Sequence, residues 1–115
     1  MAVGRRSLDG RRFAAIDNPD GEVDARTVFD YAEDDAGVIS AMYAGGDIVR
    51  GFLVGTRSGD TLRFRYVHLN VSGETAGGRC ESRVVVLPDG RLRLEERWSW
   101  ESREGAGTSA VEELA

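Results

Sequence analysis

The histidine of this chain is the first residue whose chemistry could define a function. His68 is the only histidine, and it lies in the segment FRYVHLNV between Tyr66 and Asn70. Side chains two positions apart share one face of a β-strand, so these three are expected to point the same way. An imidazole acts as a general acid or base near neutral pH, and polar neighbours orient a ligand. We therefore take His68 as a candidate catalytic residue, and Tyr66 and Asn70 as candidate ligand-binding residues.

A carboxyl group in a second apolar segment is the other candidate. In RLRLEERWSWE, residues 91–101, alternation places Glu96 on one face with two leucines and two tryptophans. A carboxylate there pairs with a buried arginine, lines a wet cavity or titrates with a raised pKa. We take Glu96 as a second candidate catalytic residue, with Trp98 and Trp100 as walls of a ligand cavity. Arg50 is the candidate arginine that would pair with Glu96 or orient the ligand.

Both catalytic candidates also have a purely structural interpretation. A single histidine on an apolar face is more often a hydrogen-bonded part of the core than a catalytic group. A glutamate on a strand is commonly satisfied by an arginine such as Arg50 or by a neighbour on the next strand, because structural ion pairs also perturb carboxyl groups. These alternatives stay open for His68 and Glu96 at the level of the sequence.

The composition excludes several kinds of site. All 15 basic residues are arginine; without lysine there is no Schiff base, no pyridoxal phosphate anchor and no Walker-type phosphate loop. One cysteine, Cys80, and one histidine cannot supply the usual ligand sets, so we expect no metal and no internal disulfide. The segment GAGTSA, residues 105–110, fits a dinucleotide fingerprint but is followed by too few residues for the helix and second strand of that motif. We expect no cofactor.

Charge and hydropathy also exclude classes of partner. The net charge is −5, and the arginines alternate with acidic residues, so binding to a phosphate backbone is not expected. No apolar run approaches the roughly 20 residues of a membrane helix, and the first residues lack the apolar stretch of a secretory signal. We expect no membrane association and a cytoplasmic location.

Turn signals recur along the chain at short, even intervals. Clusters of Gly, Pro, Asn and Asp occur at seven places, and the segments between them are rich in β-branched and aromatic residues without a helical stripe. A sheet of about eight strands joined by hairpins has two edge strands with unpaired backbone groups, and closure into a barrel pairs these edges with each other. We therefore predict an all-β fold, a single antiparallel up-and-down β-barrel of the lipocalin or calycin kind. One domain spans residues 1–115, with residues 1–11 as a flexible amino-terminal segment.

The segment around His68 is apolar on both faces. Three aliphatic residues that alternate with it lie on the opposite face. Either the strand contains a bulge and switches faces, or a terminus or a second subunit covers its outer side. A homodimer formed in this way would use an apolar outer face made of Val67, Leu69 and Val71, with Phe52 and Val54.

Two further local features bear on the interior. A tight turn at Ser58 and Gly59 would place Gly51 opposite Tyr66, leave room inside and turn Arg50 outward, whereas a bulge would reverse these conclusions. The segment TSAVEEL, residues 108–114, favours the closing strand, with a short capped helix as the alternative.

Five segments of the chain form a recognisable set, which is YAGGDIVRGFLVG (43–55), RYVHLN (65–70), GRCES (78–82), LPDGRLRLEERWSWES (87–102) and SAVEEL (109–114). Together they resemble a small bacterial family of similar length whose members often carry an automatic label of N-acetylglutamate synthase. The resemblance implies no activity for particular positions. An acyl-CoA-dependent acetyltransferase binds pyrophosphate at a helix amino terminus, and the nearest motif, REGAG at residues 103–107, has no long helix after it, so we do not expect that activity. The positions that match the family's pattern are Tyr66, His68, Asn70, Cys80, Glu96, Trp98 and Trp100.

These observations predict a barrel that binds a small, partly apolar molecule in its interior. One alternative is a small cofactor-independent enzyme, such as an isomerase, cyclase or hydrolase, that uses the same pocket. The other is a dimeric or heteromeric interaction module that uses the apolar outer face.

Overall fold

The strands form one closed antiparallel barrel. The computed structural model describes residues 6–18 and 21–115, without the side chain of residue 17. The strands pair in chain order, and β8 returns to pair with β1, so the predicted up-and-down barrel is confirmed. The eight strands are β1 (Arg12–Asp17), β2 (Val28–Glu33), β3 (Val38–Gly45), β4 (Ile48–Ser58), β5 (Thr61–Asn70), β6 (Thr75–Val86), β7 (Leu92–Trp100) and β8 (Ala106–Glu113).

The last segment of the chain forms a strand that closes the barrel. Residues 106–113 pair with β1 and β7, as in the contact of Phe13 with Glu113. The strand interpretation of the last segment is therefore confirmed over the short helix. None of the residues that the structure describes forms a helix long and apolar enough to cross a membrane.

The alternation of side chains along each strand determines which of them face the barrel interior. On β5, Leu62, Phe64 and His68 are buried while the arginines between them are exposed. On β7, Leu92 and Leu94 are fully buried, and Arg93 between them is partly exposed. Because the pleat sends successive side chains to opposite faces, the inward side of each strand carries the apolar set.

One end of the barrel is plugged by the segment that precedes β1. Leu8 is fully buried in the core, and its backbone N–H donates to Glu33 at 2.9 Å. Glu33 also pairs at 2.9 Å with Arg57, whose side chain is 1% exposed. We call this the closed end, defined by Leu8, Glu33 and Arg57. The prediction of a flexible segment over residues 1–11 is wrong from Leu8 onward; residues 1–5 lie outside the described residues.

The turn between β4 and β5 fixes the register of the central hairpin. Ser58 pairs with Thr61, so the two turn residues are Gly59 and Asp60, and Gly59 has the positive φ that such tight turns require. In this register Gly51 pairs with His68, and Leu53 pairs with Tyr66. The expectation that Gly51 lies opposite Tyr66 is therefore wrong, because the strand pairing is shifted by two residues.

The outer side of β5 stays apolar without a change of face. The only irregularity in the β4–β5 ladder lies on β4, between Ile48 and Arg50. Along the described part of the strand, His68 faces inward while Val67 is 51% exposed. Of the two interpretations, the bulge that switches faces is wrong, and the apolar side is exposed in the single chain.

Candidate ligand-binding site

A small cavity lies inside the barrel beside the residues singled out in the sequence. Its volume is about 60 Å³. Tyr66, His68, Glu96, Trp98 and Trp100 all line it, so five of the predicted site residues come together. The aromatic walls are Phe29, Tyr43, Phe64, Tyr66, Trp98 and Trp100.

Glu96 is held by hydroxyl groups from the two strands beside β7. Ser109 on β8 donates to one carboxylate oxygen at 2.8 Å, and Ser82 on β6 donates to the other at 3.4 Å. Burial raises the pKa of Glu96 to about 7, although both hydrogen bonds act in the opposite direction. The carboxyl group therefore changes its charge near neutral pH.

Arg50 does not take part in this site. It is exposed on the outer side of β4, where it pairs across the ladder with Leu69. The bulge just before it ends the inward alternation, and Gly51 faces the interior instead. The prediction that Arg50 pairs with Glu96 or orients a ligand inside the barrel is wrong for this reason.

His68 is fixed at both ring nitrogens. Its Nδ1 lies 2.9 Å from the Tyr43 hydroxyl, and its Nε2 lies 2.7 Å from a carboxylate oxygen of Glu22. Gly51 makes the first contact feasible, because a Cβ there would overlap the Tyr43 ring, which crosses β4 to reach His68. Since both nitrogens are engaged, proton exchange with a bound molecule would require one of these contacts to break. A catalytic role for His68 or Glu96 stays a prediction.

Asn70 orders the open end of the barrel. Its amide nitrogen donates to the second oxygen of Glu22 at 3.1 Å. Its side-chain oxygen accepts backbone N–H groups of Ser72 and Glu74, both at 3.0 Å, which shapes the turn between β5 and β6. Asn70 does not line the cavity, so its assignment to ligand contact stays a prediction.

An ionic cluster covers the end of the barrel opposite the closed end. The Arg103 guanidinium lies 3.4 Å from Glu22 and 4.3 Å from the ring centre of Trp100. Burial acts to raise the pKa of Glu22, but hydrogen bonds from His68 and Asn70 outweigh it and hold the pKa below its usual value. We call this end the mouth, defined by Glu22, His68, Asn70, Trp100 and Arg103.

The interior retains polar atoms that the described residues do not satisfy. Within residues 6–18 and 21–115, the Trp98 indole nitrogen and the Tyr31 hydroxyl are buried without a hydrogen-bond partner. Tyr31 lies close enough to Glu96 for that carboxylate to raise its pKa further, beyond the larger effect of burial. The barrel therefore has unused hydrogen-bonding capacity next to its cavity.

The hydrogen-bonding and ionic partners of the predicted residues were not among the sequence-based candidates. Tyr43 had a usable signal, because it alternates with Ile39 and Ala41 on the inward face of β3. Glu22 and Arg103 had none, since both lie in loops, which carry no periodic pattern. Among the described residues, no three His, Cys, Asp or Glu side chains form a group that could hold a metal ion.

Comparison with known proteins agrees with this architecture. The chain matches the family described as "Avidin-like protein" over residues 6–114, which includes all eight strands, the cavity and the mouth. No curated protein and no solved structure matches it. The chain forms a closed eight-stranded barrel with an aromatic-walled cavity near one end. Because the family model matches nearly its whole length, the chain belongs to the avidin-like family.

Proposed function

We propose that this protein binds a small, partly apolar molecule inside its barrel. The observation that carries the proposal is the cavity, whose lining combines six aromatic side chains with the Glu96 carboxyl group on β7. Ligand sites combine predominantly apolar walls with few placed polar groups. Eight-stranded barrels have an interior that side chains fill or that holds one small ligand, and membership in the avidin-like family supports the second outcome.

The cavity volume limits the ligand. A volume of about 60 Å³ is far below the roughly 300–1,000 Å³ of pockets for drug-sized molecules. It holds about four or five water-sized groups. The ligand is therefore a compact molecule, or one whose compact end enters the barrel while the remainder passes the mouth.

The test uses tert-butanol, a compact and partly apolar probe, with amide and indole chemical shifts as the readout. Saturable shifts at the residues that line the cavity are expected. Ala15 lines the cavity and is 2% exposed, so Ala15→Val should fill it and abolish these shifts. The matched control is Ala14→Val, because Ala14 is the neighbour on the other face of β1. Equal shifts in both variants would place the probe elsewhere and contradict the proposal.

A second candidate function is self-association through the outer side of β3, β4 and β5. Met42 pairs with Phe52 and Phe52 with Val67, so that one continuous apolar row crosses three strands. A second copy of this chain is the partner that we propose, since a two-fold axis would bury the same apolar surface on both copies. We call this surface the outer apolar face, and it consists of Met42, Val49, Phe52, Val54, Val67, Leu69 and Val71, which are 37–63% exposed.

A further inference from the structure

The carboxyl groups that line the cavity differ in their partners. Among the described residues, the lining includes two carboxyl groups, Glu22 and Glu96, and no arginine, although the chain contains 15 basic residues. At the mouth, Glu22 is compensated by Arg103 and by the hydrogen bonds from His68 and Asn70. Glu96 is thus the carboxyl group whose partners, Ser82 and Ser109, carry no charge.

Among the described residues, the tyrosine and cysteine groups that the Glu96 charge influences are all neutral at pH 7. Burial raises the pKa of the three tyrosines and the cysteine near it, and its negative charge raises each further. Glu96 is partly buried, and a carboxylate withdrawn from water without a countercharge is unfavourable, so the group either takes up a proton or acquires a cation. The titratable groups near Glu96 are Tyr31 on β2, Tyr43 on β3, Tyr66 on β5 and Cys80 on β6.

The walls around this carboxyl group suit a cation as well. The face of an aromatic ring carries partial negative charge and attracts ammonium and guanidinium groups. The Trp100 ring already holds the Arg103 guanidinium at 4.3 Å on the mouth side. Further in, Trp98 packs against Trp100 with ring centres 5.3 Å apart, and both line the cavity together with Tyr66. Aromatic rings around a carboxylate are the arrangement that binds alkylammonium groups.

We propose that the cavity binds a compact organic cation, an alkylammonium group, with Glu96 as its countercharge and the aromatic walls as its cage. The inference rests on the proposed function and adds the charge and chemical class of the ligand. A neutral molecule leaves the Glu96 carboxylate uncompensated, and an anion is repelled by it. A volume of about 60 Å³ fits a head group of a few non-hydrogen atoms.

The experiment compares three probes of similar branched shape and different charge, which are tetramethylammonium, tert-butanol and pivalate. Affinities are measured by calorimetry and tryptophan fluorescence at pH 8, where the Glu96 carboxyl is ionised. Tetramethylammonium is expected to bind at least about tenfold more tightly than tert-butanol, because of the three probes it alone supplies the countercharge that the Glu96 carboxylate lacks. Pivalate is expected not to bind.

Two variants assign the preference to Glu96. Glu96→Gln keeps the shape and a hydrogen bond to Ser109 but removes the charge, so the cation preference should fall at least about tenfold while tert-butanol still binds. Glu95→Gln is the matched control, because Glu95 is the exposed neighbour on the outer side of β7. It should keep the full preference. Circular dichroism of each variant shows that the barrel is intact.

The pH dependence gives an independent readout. Glu96 must be ionised to act as countercharge, so the affinity for tetramethylammonium should fall progressively as the pH decreases below about 7. Binding at pH 6 should release a proton, which calorimetry in buffers of different ionisation enthalpy detects. Neither effect is expected for tert-butanol or for Glu96→Gln.

The outcomes separate this inference from the proposed function. Equal affinity for tetramethylammonium and tert-butanol, with both abolished by Ala15→Val, would overturn the cation inference and leave the binding function standing. A preference that survives undiminished in Glu96→Gln would also overturn it, because the cation would then be held by groups other than Glu96. Failure of all three probes to bind would overturn both.

Discussion

Glu96 shows how a single residue acquires its properties from several strands. Its position on β7 turns it inward, but its hydroxyl partners come from β6 and β8. Tyrosine and cysteine side chains face it across the interior, and its hydrogen-bond partners among the described residues are uncharged. The raised pKa is the consequence of that assembly, and it makes the carboxyl group sensitive to pH in the physiological range.

Stability should therefore depend on pH through Glu96. Its pKa rises from 4.5 to about 7 on folding, so the folded protein binds more protons than the unfolded chain between these values. The free energy of unfolding should fall as the pH rises through this window, by up to about 1.4 kcal/mol per unit, and the loss should level off above pH 7. Urea denaturation from pH 4.5 to 8 measures it.

Glu96→Gln should remove this part of the pH dependence, and the exposed Glu95→Gln should not. The relevant quantity is the difference between wild type and variant, because carboxyl groups with lowered pKa, such as Glu22 and Glu81, give an opposite slope at lower pH. Identical profiles for wild type and Glu96→Gln would show that the Glu96 carboxyl titrates normally.

Gly51 illustrates a different effect at the same scale. Its missing side chain is the space in which the Tyr43 ring crosses β4 to reach His68. Gly51→Ala should therefore destabilise the protein by about 1–3 kcal/mol, the range found for overpacked cores. The measurement is the free energy of unfolding in urea.

A double-mutant cycle tests the cause of that loss. In a Tyr43→Ala background the ring is absent, and Gly51→Ala should cost close to nothing beyond the effect of Tyr43→Ala itself. Equal costs in the two backgrounds would mean that Gly51 is required for its backbone conformation and not for the ring. The cycle also reports how strongly the Tyr43–His68 contact depends on this position.

At the scale of elements, each strand has two sides with different roles. On β5 the inward side carries Tyr66 and His68 toward the cavity and mouth, and the outward side continues the outer apolar face. Loops then complete both ends, since Glu22 joins the mouth and the segment before β1 fills the closed end. The barrel thus combines periodic strands with ends made by non-periodic segments.

The segment before β1 should contribute measurably to stability. Leu8 is fully buried, so Leu8→Ala should lower the free energy of unfolding by about 2–5 kcal/mol. Leu114→Ala is the matched control, because Leu114 is 43% exposed near the other terminus and should change stability little. Thermal or urea denaturation measures both. A loss for Leu8→Ala no larger than that of the control would restore the view of this segment as a loose tail.

At the scale of the whole molecule, closure places all apolar side chains that face inward in one core and leaves the outer apolar face uncovered. Soluble monomers rarely expose contiguous apolar surface of this kind without a partner. Phe52, which is 47% exposed, lies in the middle of its cross-strand row between Met42 and Val67. This position makes Phe52 the natural site at which to test self-association.

The chain should sediment as a dimer at micromolar concentration, and Phe52→Glu should make it a monomer, because two buried negative charges would oppose each other across a two-fold axis. Val86→Glu is the control, since Val86 is equally exposed at 50% but lies outside the outer apolar face. A wild-type chain that remains a monomer would contradict this second function and leave the binding proposal untouched.

Much of the architecture could be predicted because its signals are local. Turn residues mark the hairpins, and alternation on β5 and β7 assigns His68, Glu96, Trp98 and Trp100 to the interior. These signals depend only on the pleat of a strand and on turn chemistry, which the neighbouring residues determine. The predicted cytoplasmic location and the resemblance to a family labelled N-acetylglutamate synthase remain predictions.

The sequence by itself determined the approximate number of strands, their order and the inward side of β7. Only the tertiary structure decided that Glu22 closes on His68, that Tyr43 passes over Gly51, that Leu8 fills one end and that Arg50 lies outside. These contacts join residues from different strands and loops, so they depend on register, bulges and loop paths. Periodicity along one strand carries no information about the position of the strand beside it, and therefore the cavity and its charges emerge only when the barrel closes.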